Sequence, residues 1–309
     1  MSSTTEVAST AANANDTHSL KPAKLQTFDS LEELAVFLTK NNRLQSFFLK
    51  DTFGLYQSQE ELRRMIEKID RGEVPQLSLL DFLARVKALK PELAEECHRL
   101  ENLNYNFLGL YKKSESELTS GPRRDQTSKF TRVRPSDISP NINAVLETFD
   151  EWPFYDKANR LSQAIVNSHH RYVDRLTAIL GAKFNFMPEL SSLGSLRALN
   201  YTPKVQGIAM GQHTDITTVT LLTQIGVDAL QAYVDDEWQQ VKFLPGYILI
   251  QFGFYAQCLS NGRIEAMLHR VGPVPGTRSA LVYFCEPPRH ARIPYGSPWQ
   301  HKLGLTKEE

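Results

Sequence analysis

The stretch from His213 to Phe284 constrains this chain more than any other. It alternates short β-branched runs with turn residues, and its chemically active side chains stand at fixed places in that alternation. Ala209 to Leu222 is rich in β-branched residues and bounded upstream by Pro203 and Gly207, which predicts a strand starting near 209. Ala229–Tyr233, Trp238–Val241 and Tyr247–Phe252 read as further strands, separated by Asp235-Asp236 and Pro245-Gly246. Cys258-Leu259 and Ile264–Met267 flank Ser260-Asn261-Gly262-Arg263. Asn-Gly is a strong hairpin signal, so His269 is expected on the return strand of a hairpin.

Within this frame, His213-Thr214-Asp215 precedes an isolated His269 and then Arg278. Strand side chains alternate with period two, so His213 and Asp215 are expected to project together. Two imidazoles and one carboxylate on one face of an octahedron leave three adjacent positions open. Iron(II) needs such positions to bind a bidentate co-substrate and O₂ together. A closed structural zinc site would want a fourth protein ligand, and Cys97, Cys258 and Cys285 are too scattered to supply it at a recognisable spacing. Taken singly, His213 reads better as an ordinary strand histidine and His269 as a satisfied core residue; the ordered set is what carries the metal reading.

Gly211-Gln212-His213-Thr214-Asp215, Ala229-Leu230-Gln231, Trp238, Leu244-Pro245-Gly246, Ser260-Asn261-Gly262-Arg263, Leu268-His269-Arg270-Val271 and Arg278 to Phe284 occur in one order. That order resembles the isopenicillin N synthase-like branch of the iron(II)/2-oxoglutarate-dependent oxygenases, strongly over residues 190 to 290 and loosely before them. The resemblance implies an α+β fold with a double-stranded β-helix, or jelly-roll, core and flanking N-terminal helices. It also implies iron ligands His213, Asp215 and His269, with Arg278 and Tyr201 holding the distal carboxylate of 2-oxoglutarate. A guanidinium suits that role because its planar fork donates two parallel hydrogen bonds. Three cofactors follow: iron(II), 2-oxoglutarate as co-substrate, and O₂. The implied reaction is oxidation of a C–H bond of a small molecule by an oxidant formed at the iron, giving hydroxylation, desaturation or oxidative cyclisation, with specialised metabolism as the setting.

The chain departs from the family pattern in three places. Two residues after Arg278, where the family carries serine, stands Ala280; Ser279 is adjacent but should face the other way. Gln251-Phe252-Gly253-Phe254 replaces the usual Asn-x-Gly-Asp, which puts an apolar ring in place of a carboxylate. Only a short segment follows Pro287-Pro288, which puts a C-terminal lid in doubt. The alanine keeps a second reading open, a 2-oxoglutarate-independent oxidase or cyclase of the isopenicillin N synthase type. A non-catalytic metal-binding protein is the third.

Composition narrows the partners. With 35 basic and 35 acidic residues there is no global field for nucleic acid or an anionic membrane, and no apolar run approaches transmembrane length. Met1 to Leu20 contains neither Lys nor Arg and no apolar core, so it reads as a disordered tail and not as a targeting segment. Three unpaired cysteines fit a reducing cytoplasm.

The chain divides as a tail over 1–22, a helical and mixed region over 23–185 and the oxygenase core over 186–309, the last two forming one unit. Ser30-x-x-Glu33 and Ser58-x-x-Glu61 are capping-box patterns and predict helices over 31–40 and 59–71, the second stopped by Gly72. A strand is expected within Gln45–Lys50, and helices over Leu79–Leu89 and Pro91–Leu103. Pro153–Leu180 is the longest helical pattern, with Leu161, Ile165, Tyr172, Leu176 and Ile179 on one face and Gly181 as its stop. Its His169 and His170 point about 100° apart and read as satisfied or solvated residues, not as a metal pair. Arg123, Arg124, Lys129, Arg132 and Arg134 make a basic stretch that reads as a solvated loop with a strand over Phe130–Val133, or as a rim for an anionic substrate.

Overall fold

The computed structural model describes residues 20–52, 54–102, 109–112, 128–131, 138–184, 195–201 and 207–285. Its strands, in chain order, are β1 Gln26–Phe28, β2 Phe47–Lys50, β3 Gly109–Lys112, β4 Ser128–Thr131, β5 Ser195–Tyr201, β6 Met210–His213, β7 Val219–Gly226, β8 Leu230–Val234, β9 Glu237–Gln240, β10 Tyr247–Phe252, β11 His269–Val271 and β12 Arg278–Cys285. A six-stranded sheet runs β1-β2-β10-β7-β12-β5, a four-stranded sheet runs β6-β11-β8-β9, and β3 pairs with β4. Apart from the parallel β1–β2 pair, every ladder is antiparallel.

Alternation along the strands divides the core in two. On β2, Phe47 and Leu49 join Leu221, Ile250, Leu281 and Tyr283 against the helices, while Phe48 joins Leu222, Leu249 and Val282 against the smaller sheet. The central strands are therefore covered on both faces, which is why β10 reads as the run Tyr-Ile-Leu-Ile-Gln-Phe, apolar but for Gln251. Two facing sheets with helices on one outer side make a jelly roll, the expected α+β fold.

The helices are α1 Leu31–Lys40, α2 Leu55–Asp70, α3 Leu79–Leu89, α4 Ala94–Asn102, α5 Pro140–Leu146, α6 Trp152–Phe184 and α7 Phe254–Leu259, with a 3₁₀ turn at Pro91–Leu93. Helix α1 starts where Ser30 Oγ accepts the Glu33 N–H, while the Glu33 carboxylate accepts from Asp29 N, one residue before the cap. The reciprocal box forms instead at α3, between Ser78 and Asp81. Ser58 caps nothing. Helix α2 already begins behind Gly54, whose φ of 65° sets the entry, and Ser58 lies inside it; Gly72, at φ 74°, follows its end as expected.

Gly181 does not stop α6, which continues to Phe184 because Leu180 and Phe184 are both buried against the core and outweigh the cost of one glycine, about 1 kcal/mol. Its two histidines divide. His170 Nε2 lies 2.7 Å from the Tyr283 hydroxyl, as a satisfied histidine should. His169 is 1% exposed, stacks on the Tyr283 ring at 5.1 Å, and has no hydrogen-bond partner for Nδ1; burial pushes its pKa down to about 3.

Asn261-Gly262 does not form the expected hairpin. Cys258 and Leu259 are helical, and the two left-handed residues, at φ 54° and 77°, close α7 by returning Asn261 N–H to Cys258 O and Gly262 N–H to Gln257 O. The sequence signal was correct about backbone conformation, and a helix end uses that conformation as readily as a hairpin does. Residues 1–19 and 286–309, and residues 123, 124, 132 and 134 of the basic stretch, lie outside the described residues.

Candidate metal and co-substrate site

His213 ends β6 and His269 begins β11, and the two are direct partners on adjacent antiparallel strands. Their rings lie 4.3 Å apart, centroid to centroid. His213 Nδ1 is 2.8 Å from Gly211 O and His269 Nδ1 is 3.0 Å from Met267 O. A carbonyl only accepts, so each Nδ1 carries the proton and each Nε2 presents its lone pair. Burial pushes the His269 pKa down; Asp215 opposes this, while His213 and the positive charge of Arg278 add to it. A neutral imidazole is the form that binds a metal.

Asp215 joins the pair by a different route from the one expected. β6 ends at His213 and β7 starts at Val219, so Asp215 sits in the intervening loop and is not aligned by strand alternation. Its carbonyl accepts the Phe254 N–H at 2.7 Å, and Gly253 N–H reaches Thr218 O at 3.3 Å, which ties the loop to the start of α7. A side chain at Gly253 would put its Cβ 2.0 Å from Thr217 O, so the close approach needs glycine there. The Thr220 hydroxyl donates to Asp215 Oδ2 at 2.7 Å and lies 2.9 Å from the Thr217 hydroxyl. That leaves Oδ1 toward the imidazoles, 3.8 Å from His213 Nε2 and 4.0 Å from His269 Nε2.

One ligand atom from each of the three residues lies within 4.8 Å of the other two, a set that can hold one metal ion. Two nitrogens and one oxygen, with both imidazole tautomers fixed from outside and the second carboxylate oxygen engaged, fit an iron(II) ion with open positions.

Arg278 and Tyr201 are also direct cross-strand partners, at the ends of β12 and β5. Arg278 is 2% exposed and its guanidinium lies over the Tyr201 ring, 4.6 Å from the centroid. Burial pushes its pKa down, against the pull of Tyr201 and Asp228. Its Nε donates to Gln224 Oε1 at 2.8 Å, and its buried Nη1 has no hydrogen-bond partner. Ala280 packs in the inter-sheet core with Val282, whereas Leu281 packs on the helix side. Arg278 and Ala280 thus share the inner face and Ser279 faces away, in the expected register.

The structure gathers His213, Asp215 and His269, which the sequence singled out as a set, and places Tyr201 against Arg278. Sequence reasoning missed Thr220 and Gln224. The signal for both was a polar side chain inside the apolar strand Val219–Gly226. Phe254 lies in the first turn of α7, with its backbone N–H donating to the Asp215 carbonyl.

Residues 194–287 match the model of the 2OG-Fe(II) oxygenase superfamily. That match runs from β5 to β12 of the double-stranded β-helix. Among curated relatives the chain is 30% identical over 145 residues to flavonol synthase 1 of Crocosmia x crocosmiiflora, covering 44% of each chain. It is 36% identical over 112 residues to gibberellin 2-beta-dioxygenase 1 of Oryza sativa subsp. japonica, covering 34% of this chain and 29% of the relative. The match thus spans less than half the length of either relative. Likeness of fold extends further. The structure of dioxygenase for auxin oxidation 1 from Arabidopsis thaliana with 2-oxoglutarate has a TM-score of 0.56 at 16% identity, covering 92% of this chain and 98% of that one. The dioxygenase for auxin oxidation in rice has a TM-score of 0.56 at 18% identity, covering 86% and 84%.

Proposed function

We propose that this chain is an iron(II)- and 2-oxoglutarate-dependent oxygenase that oxidises a C–H bond of a small organic molecule. The observation that carries the co-substrate is Arg278. A guanidinium this buried costs several kcal/mol unless an anion meets it, yet among the described residues no carboxylate lies within ion-pair distance, and Nη1 has no hydrogen-bond partner. Its charge is felt at His269, so it lies within electrostatic reach of the triad. A small dianion that chelates the metal at one end and meets Arg278 at the other answers both halves of the site.

In this reading His213, Asp215 and His269 hold the metal, and Arg278 with Tyr201 fixes the distal carboxylate. Iron(II) with bound 2-oxoglutarate and O₂ supplies the oxidising equivalent, with the keto acid converted to succinate and CO₂. The protein's own contribution is placement. Thr220 holds Asp215 so that one oxygen faces the metal, and the carbonyls of Gly211 and Met267 fix both imidazoles in the tautomer that presents Nε2 to it. Ile216, 74% exposed beside Asp215, offers an apolar surface at the rim. The relatives' names, flavonol synthase and gibberellin dioxygenase, favour specialised or hormone-like metabolites as the substrate class, with hydroxylation, desaturation and ring closure as the outcomes open to such a site. Three buried cysteines, none of them in a disulfide, suit a reducing cytoplasm.

The test is anaerobic titration of the iron(II) protein with 2-oxoglutarate. A weak visible metal-to-ligand charge-transfer band saturating with the keto acid is expected. Normal O₂ consumption on substrate with 2-oxoglutarate omitted, and no such band, would instead favour the oxidase reading that Ala280 keeps open.

A further inference from the structure

The Arg278 guanidinium can receive a partner at its Nε edge, at its Nη edge and on either flat face. The Nε edge and one face are taken. Tyr201 lies against the face, and Gln224 Oε1 accepts the Nε hydrogen at 2.8 Å. Gln224 is itself buried and cannot turn, because its amide nitrogen donates to Val227 O at 2.9 Å and to Asp228 Oδ1 at 3.3 Å. Flipping the amide would set NH₂ against Nε–H and oxygen against a carbonyl, losing every bond at once. Asp228 is held in turn by the Phe243 N–H at 3.2 Å. The register explains the reach: Gly226 stands across from Arg278 on β7, and Gln224 is two residues away, on the same face.

We propose that Gln224 is a positioning residue that commits the Nε edge of Arg278 and so turns the Nη1 edge toward the co-substrate carboxylate. This rests on the reading of Arg278 as the carboxylate anchor. The side-on fork made by Nε with one Nη is closed to the ligand, and the carboxylate is received at the tip of the guanidinium. The tip lies farther along the side chain than the side-on edge, so Gln224 also sets the length of dicarboxylate that can span the distance to the metal.

The experiment measures binding, not turnover. The protein loaded with redox-inert Mn(II) is titrated calorimetrically with 2-oxoglutarate, and separately with oxalate, which chelates the metal but lacks a distal arm. Gln224→Met keeps side-chain length and removes the acceptor. It is expected to weaken 2-oxoglutarate about tenfold, the loss of one oriented bond to a charged group, and to leave oxalate unchanged. Equal weakening of both ligands, or of neither, overturns the proposal. If Gln224→Met loses its cooperative melt, Gln224→Leu takes its place. It also removes the acceptor on Nε, so it should bind 2-oxoglutarate more weakly and oxalate normally, and wild-type affinity for 2-oxoglutarate overturns the proposal. Arg278→Gln separates the two levels. If it binds 2-oxoglutarate like wild type, the functional reading falls; if it weakens binding and Gln224→Met does not, only the role of Gln224 falls.

Discussion

His213 and His269 are cross-strand partners on β6 and β11, so the imidazole pair is set by one rung of a β-ladder. Side chains across such a rung have Cβ atoms about 5 Å apart, close enough for both to reach one ion without distorting either strand. His269→Ala should therefore remove the metal and leave the fold. Iron stoichiometry is expected to fall from one per chain to none, while the metal-free variant keeps a cooperative thermal transition. Full iron loading of the variant would remove His269 from the ligand set.

Thr220 donates to the Asp215 oxygen that faces away from the imidazoles. Thr220→Val keeps the shape and deletes the donor, freeing the carboxylate to rotate. Loss of such a supporting bond is expected to cost about 10- to 100-fold in iron(II) affinity, read by competition with a chelator of known affinity. An unchanged affinity would mean that the loop alone orients Asp215.

Arg278→Gln removes the cation from the co-substrate end of the cavity while keeping a hydrogen-bonding side chain. The apparent 2-oxoglutarate requirement should rise by about 10- to 100-fold, the range for a charge-assisted contact. Affinity for the prime substrate should change little. A larger effect on the prime substrate than on 2-oxoglutarate would place the arginine in the wrong subsite.

Ala280 shares the inner face with Arg278, and Ser279 faces the helices. Ala280→Ser should restore a hydroxyl beside the carboxylate and tighten 2-oxoglutarate by up to about 1 kcal/mol. Ser279→Ala should leave that affinity unaltered. The reverse pattern in the same anaerobic titration would mean that β12 is shifted by one residue.

His169 is held neutral, its pKa depressed to about 3 against an ordinary 6.5. Between those values the unfolded chain binds the extra proton and the folded chain does not. Stability is therefore fully present above pH 6.5 and is lost as pH falls toward 3, by about 2 kcal/mol at pH 5. His169→Phe keeps the stack on Tyr283 and removes the proton site. Its denaturant midpoint should decline less than that of wild type between pH 7 and pH 5, and parallel declines would contradict a neutral buried imidazole.

Local signals were legible where one mechanism governed the outcome. Helices 31–40 and 79–89 and the strand 247–252 stand at their expected bounds, because an N-cap hydroxyl or a mostly apolar run decides each one alone. Where two outcomes use the same backbone state, the sequence could not choose. Asn261-Gly262 adopts the left-handed pair it advertises, at a helix end. Gly181 and Ser58 are valid boundary residues overridden by packing and by an earlier start at Gly54. The candidate ligands were legible as a set because their order carries the chemistry. Their supports, Thr220, Gln224 and two backbone carbonyls, were not, since a polar residue in a strand does not name its partner.

The triad joins two kinds of mounting. The histidines are fixed by a β-ladder, whereas Asp215 rides on the loop 214–218, fastened to α7 through its own carbonyl. Ions of different radius or preferred geometry would thus be accommodated by movement of one carboxylate while the barrel stays still. Substitutions in 214–218 and at Gly253 should then change which divalent ion is retained, and substitutions along β6 and β11 whether any is. Ion choice and ion retention become separately adjustable properties of a site composed, among the described residues, of three side chains.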